Sequence, residues 1–201
     1  MAALAEESKS GTPLMHLFRA PGPDAANVLA EAQKNVSSAI TGLETEYCFN
    51  IEVTGAPYEG KELEMLTWLV AETYEPQQTQ ATSFITGRVS DNTVLVVEVG
   101  PRFAYPSAFS SNAVNICSSC GLGRVTRVER SRRYKLITPQ AAGLDADVVA
   151  AFLASVHDKM TEQVYPVTLA VSCDGGGGGG VRHTQRVSIS VVFRRLHTSY
   201  I

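Results

Sequence analysis

The hydrophobic pattern of this 201-residue chain runs twice through one order, strand, helix, strand, helix, and that doubling restricts the architecture more than any single motif. In the first pass LMHLFR (Leu14–Arg19) reads as a short strand stopped by Pro21-Gly22-Pro23, with Asp24 placed to cap a following helix. Val28, Leu29, Ala32, Val36 and Ile40 recur at helical spacing, and Gly42 is expected to close that helix. From Glu44 to Thr54, Tyr47, Phe49, Ile51 and Val53 alternate with polar neighbours, the pattern of a half-buried strand. A second helix puts Leu63, Leu66, Leu69 and Val70 on one face, with Trp68 beside it, and is expected to end near Tyr74, before Pro76. The polar stretch from Pro76 to Asn92 reads as a hinge. The second pass has strand Val94–Val99, a small-residue helix around Ser110–Cys120, strand Val125–Ile137, and a helix from Asp145 to Met160 with Val148, Val149, Phe152, Leu153 and Val156 inward.

This order predicts an α+β two-layer sandwich of two β-α-β-α halves, about residues 13–75 and 93–162, joined as an internal pseudo-dimer. Right-handed crossovers would pack two helices on one face of each small sheet. Residues 1–12 read as a flexible N-terminus, 13–170 as the domain, and 171–201 as a flexible tail, disordered or non-native. The tail contains Gly175–Gly180, whose backbone entropy opposes any packed element; beyond it QRVSISVVFRRL alternates like a strand with no obvious sheet to join. The glycine run is no phosphate cradle, which needs fixed turns followed by a helix N-terminus.

A net charge of -3 gives no overall pull toward nucleic acid or a membrane surface. No apolar run reaches the ~18 to 20 residues of a membrane span. The opening MAALAEESKSGT carries two glutamates and no arginine, unlike a secretory signal or an organelle transit peptide, so a cytoplasmic chain is expected; an organelle address would need a longer N-terminus. Of Cys48, Cys117, Cys120 and Cys173, the second and third form a CxxC, the spacing of a redox pair or half a zinc site. The four histidines supply no second closely spaced ligand pair, so these cysteines read as packing groups in a small-residue helix.

No catalytic, cofactor-binding or metal-ligating residue is expected in this chain. Arg124, Arg127, Arg130, Arg132, Arg133 and Lys135 stand against Glu129 alone, a basic block that would suit nucleic acid if aromatics were interleaved; only Tyr134 is. Arg102, after Gly100-Pro101 at a strand end, suits a contact with a phosphate or with another domain and equally a solvated cap, and the domain contact is the expectation. Ser110 and Ser111, with Asn112, read as caps of the third helix rather than nucleophiles, since no histidine stands in a motif to activate them. Asp158 and Glu162, four apart near the end of the last helix beside His157 and Lys159, read as a solvated or inter-domain face rather than an acid–base pair.

The segments TEYCFNIEV (Thr45–Val53), MLTWLV (Met65–Val70), EVGPR (Glu98–Arg102), FSSNAVNIC (Phe109–Cys117), CGLGRVTRVERSRRY (Cys120–Tyr134) and HDKMTEQVYP (His157–Pro166) closely resemble the N-terminal domain of phosphoribosylformylglycinamidine (FGAM) synthase, the large glutamine-dependent enzyme of purine biosynthesis. The resemblance covers roughly residues 14–168 in order and spacing. It implies a domain like a fused dimer of the small PurS-type subunit, packed on synthase and glutaminase domains that carry the ATP, magnesium and glutamine chemistry. Those domains are the implied partners, in cis or in trans, with no cofactor in this chain, and the resemblance implies that Arg130, Arg132 and Arg133 and the loop-helix with Ser110 and Ser111 face them. The sequence departs from the family after about Leu169, as a truncated fragment would. A stand-alone interaction module that keeps the fold without the chemistry is the alternative.

Overall fold

The computed structural model describes residues 14–71, 75–85, 93–139 and 144–165. In chain order the elements are β1 (Leu14–Arg19), α1 (Ala25–Asn35), β2 (Gly42–Val53), α2 (Gly60–Val70), a 3-10 turn at Pro76–Gln78, β3 (Thr79–Gln80), β4 (Val94–Pro101), α3 (Ala108–Ser119), β5 (Val125–Ile137), α4 (Ala146–Val156) and β6 (Glu162–Val164). The fold is α+β, as the pattern predicts, but two small sheets with right-handed crossovers do not form. All six strands join one sheet, β3-β1-β2-β5-β4-β6, and every ladder in it is antiparallel. The handedness rule governs parallel neighbours, and there are none here. The physical reason for a single sheet is strand length. β2 and β5 pair with each other along nearly their whole extent, from Gly42 opposite Ile137 to Val53 opposite Val125, which removes the inner edge each half would otherwise expose.

Alternate residues of one sheet face supply the apolar core. Leu17, Phe49, Ile51, Val53 and Val128 pack under α2 and α3 with Leu66 and Cys117. Leu43, Val99, Tyr134 and Leu136 pack under α1 and α4 with Ala32 and Phe152, where the Phe152 ring meets Tyr134 edge-on at 5.6 Å between centroids. The helices therefore pair across the two halves of the sequence, α1 with α4 and α2 with α3.

Asp24 caps α1 as expected, its Oδ1 accepting from the amides of Ala26 (3.1 Å) and Asn27 (3.2 Å). Other ends differ from the pattern. α1 stops at Asn35 because the amides of Val36 and Ser37 both turn back to the Ala32 carbonyl; Ile40 reaches the core from the loop, and Gly42 opens β2 instead of closing a helix. α3 starts at Ala108 under a Ser107 cap, not at Ser110. α4 ends at Val156, where His157 turns extended, so Asp158 and Glu162 are not helical. The described part of the expected hinge is built into the fold: Phe18 of β1 pairs with Gln80 of β3. β2 is buried on both faces, since Glu46, Cys48 and Asn50 are as inaccessible as Phe49 and Ile51. The N-terminal segment, the glycine run and the strand-like stretch after it lie outside the described residues.

Candidate functional site

The sheet face away from the helices is polar, and the pairing register decides which groups meet there. Glu46 lies opposite Arg133, Cys48 opposite Ser131 and Asn50 opposite His16, while Arg133 is also opposite Glu98 on its other side. One guanidinium, that of Arg133, serves two buried carboxylates. Its Nη1 donates to Glu46 and to Ser83 Oγ (3.0 Å), and its Nε stands 3.5 Å from Glu98 Oε2. Glu98 also accepts from the Ser131 hydroxyl and from Asn50 Nδ2 (3.3 Å). Glu46 receives Ser83 Oγ (2.6 Å) and the amides of Phe84 (2.7 Å) and Ile85 (3.3 Å), which tie the 79–85 segment to the sheet. Burial pushes the Glu98 carboxyl above its ordinary range, against the opposing pull of Arg133 and its hydrogen bonds. Burial, and then Arg133, hold His16 down to about 4, so its imidazole is neutral at physiological pH.

Gly100 is where this face is tightest. A Cβ there would lie 2.7 Å from the Tyr165 hydroxyl and 2.9 Å from Ser131 Cβ, and that hydroxyl donates to the Pro101 carbonyl (3.0 Å). The arrangement is an interior ion network, every charge answered by a partner, that fixes strand register and anchors a loop. Among the described residues no three His, Cys, Asp or Glu side chains converge as a metal site requires.

The residues expected at domain contacts are scattered by strand alternation. Ser110 is buried, its Oγ accepting from the Val128 amide (3.1 Å), and Arg133 is 3% exposed within the network; both side chains face the inside of this domain. Ser111 is exposed and bonds back to the Ser107 carbonyl (3.3 Å). Arg102 is exposed and clips the end of β4 to the turn before β6 through the carbonyls of Lys159 and, by its amide, Thr161. Arg132 reaches Glu162 (2.5 Å) and the Val156 carbonyl (3.1 Å), while Asp158 caps that same turn by accepting from Met160 N (2.8 Å) and Thr161 Oγ1 (3.0 Å). Those bonds lower the Asp158 pKa.

Arg130 alone of the three expected arginines is exposed and, among the described residues, held only by ring faces, with its guanidinium 5.0 Å from the Tyr47 centroid and 5.5 Å from that of Phe109. It stands at a cleft of about 340 Å³ between α2 and α3. Phe49 and Val128 of the sheet line that cleft, with Leu69 and Val70 on the α2 side and Phe109 and Ile116 on the α3 side. Cys117 also borders it, buried with its thiol pushed up by burial and then by Cys120, a packing group rather than a reactive one.

Residue patterning missed the polar network. Glu46 and Glu98 stood in view as the polar positions of alternating strands, but only the register shows that one arginine faces both.

Residues 46–171 match the family described as Formylglycinamide ribonucleotide amidotransferase N-terminal. The chain belongs to that family. It is 39% identical over 161 residues to "Probable phosphoribosylformylglycinamidine synthase, chloroplastic/mitochondrial" of Arabidopsis thaliana, covering 78% of this chain and 11% of that protein. It is 38% identical to phosphoribosylformylglycinamidine synthase of Dictyostelium discoideum over 65% of this chain and 10% of that protein, and 30% identical to the Homo sapiens enzyme over 77% and 12%. The chain thus spans about a tenth of the length of the curated relatives it matches. Most of the amidotransferase N-terminal match falls on described elements, from β2 to β6, and it includes the network and the α2/α3 cleft. No helix of the described residues is long and apolar enough to cross a membrane.

Proposed function

We propose that this chain is a docking and coupling domain of FGAM synthase, seating the parts of that enzyme that convert formylglycinamide ribonucleotide to formylglycinamidine ribonucleotide with ATP and glutamine. The observation that carries the reading is the match over residues 46–171 to an amidotransferase N-terminal family by a chain about a tenth as long as the relatives. The interior agrees with it. The buried titratable groups near the sheet centre answer one another, as a rigid scaffold requires, and the chemistry belongs to partner domains in cis or in trans. The β1-α1-β2-α2 and β4-α3-β5-α4 order, with β2 beside β5 mid-sheet, supports a fused pair of like halves.

The purified chain is expected to hydrolyse neither glutamine nor ATP, and to restore glutamine-dependent amidation when added to the Arabidopsis relative deleted of the segment it matches. Glutamine-dependent turnover by the chain alone would overturn the scaffold reading. Failure to restore any activity, with the chain folded, would favour a stand-alone interaction module.

A further inference from the structure

We propose that the cleft between α2 and α3 is the docking surface, and that it seats an apolar segment from the rest of the amidotransferase bearing a carboxylate for Arg130. The inference rests on the docking role proposed above and adds the place and chemistry of the contact. Exposed apolar area gathers here: of eight large hydrophobic side chains exposed among the described residues, Phe109 (40%) and Ile116 (53%) line the cleft. On α2, Met65 (42%) stands one turn before the lining Leu69, and Trp68 (68%) is exposed on the same helix. Folding leaves these apolar side chains in water. α3 presents Phe109, Asn112, Ala113 and Ile116 to the cleft at i, i+3, i+4 and i+7, so its wall is one continuous helical stripe, the shape into which an apolar segment lays successive anchors.

Charge selects the occupant. Of the six cations of the basic strand and its approach, five hold a carboxylate of this chain: Arg124 with Glu62, Arg127 with Glu129, Arg132 with Glu162, Arg133 with Glu46 and Lys135 with Glu44. Arg130 has no such partner among the described residues, and two aromatic faces hold it at the mouth of the cleft. A guanidinium so oriented, beside apolar surface that will be dehydrated on contact, pairs with a carboxylate far better than an exposed one does. A second copy of the chain meeting this face symmetrically brings no acid to it, since the polar lining is Asn112, Arg19 and Arg130. The relatives carry roughly nine-tenths of their length beyond the matched region, ample chain to supply the segment.

The test is a binding titration of this chain onto the Arabidopsis relative deleted of its matched segment, with Trp68, the one tryptophan here, carried as 5-fluorotryptophan and read by ¹⁹F resonance. Arg130→Glu and Ile116→Glu alter exposed positions and leave the fold intact. Lys34→Glu on α1 makes the same charge change at the other helix pair. Each cleft variant is expected to weaken binding about tenfold or more, as loss of an anchor does, while Lys34→Glu binds as the wild type does and shows the same Trp68 shift on binding. Binding by wild type with neither a Trp68 shift nor sensitivity to the cleft variants would overturn the cleft as the docking surface and leave the docking role standing. No binding by folded wild-type chain would overturn both.

Discussion

Replacing Arg133 by methionine isolates the interior charge while keeping an unbranched side chain over the Phe18 ring, whose centroid lies 5.1 Å from the guanidinium. The substitution strips Glu46 of its ion pair and Glu98 of the cation 3.5 Å away, and neither carboxylate can turn to water because they are 0% and 3% exposed. Breaking a buried pair by removing one partner costs about 3–5 kcal/mol. For a chain of this size that lowers Tm by roughly 6–20 °C. Arg130→Met removes only exposed contacts with ring faces and should cost about 0.5–1 kcal/mol. The pH dependence separates charge from packing. Burial already raises the Glu98 pKa above 4.5, and Arg133 is the largest influence lowering it. Without that cation the folded variant binds more protons than its unfolded chain, so its stability falls as pH rises above that value, and the gap from wild type is widest near pH 8 and narrows toward pH 5. Urea unfolding followed by circular dichroism between pH 5 and 8 measures both. A cost under about 1 kcal/mol at pH 8, as for a surface pair, or a gap that does not narrow on acidification, would refute the reasoning.

Two other expectations follow from the same geometry. Gly22 lies against the β2 backbone, and a Cβ there would come within 2.6 Å of the Glu46 amide nitrogen and 2.8 Å of its Cα, atoms of a buried strand that cannot yield. Gly22→Ala should therefore cost about 1–3 kcal/mol in urea unfolding, and wild-type stability would show that the 20–24 turn moves freely. His16 should stay neutral on acidification from its ordinary 6.5 to about 4. Between those values the unfolded chain binds the extra proton, so stability falls with pH; an imidazole NMR titration midpoint near 6.5 would contradict the buried placement.

Strands and helices were legible because their hydrophobic periods are long and clean: β1 and β5 have the expected bounds, and Asp24 caps α1. Their joining into one sheet was not, since nothing local tells β2 to pair with a strand about eighty residues away. The same gap explains the basic strand. Read along the chain, Arg130, Arg132 and Arg133 form one block, whereas alternation and register send Arg133 to Glu46 and Glu98, Arg132 to Glu162, and Arg130 to the cleft mouth. Ser110 shows a third limit. A serine near a helix start suggests a cap, but Ser107 takes that role because its hydroxyl also reaches the buried Glu129 at 2.6 Å, which frees Ser110 to bind the Val128 amide. Family membership was legible for a different reason: six segments in order and spacing outweigh any single residue's ambiguity.

A chimera tests directly whether this fold serves the amidotransferase as a seat for its other domains. Residues 14–165 replace the matched segment of the Arabidopsis relative, and glutamine-dependent formation of formylglycinamidine ribonucleotide is measured beside the enzyme deleted of that segment. The chimera is expected to form product and the deletion to form none. A deletion as active as the intact enzyme, or a folded chimera as inactive as the deletion, would contradict it.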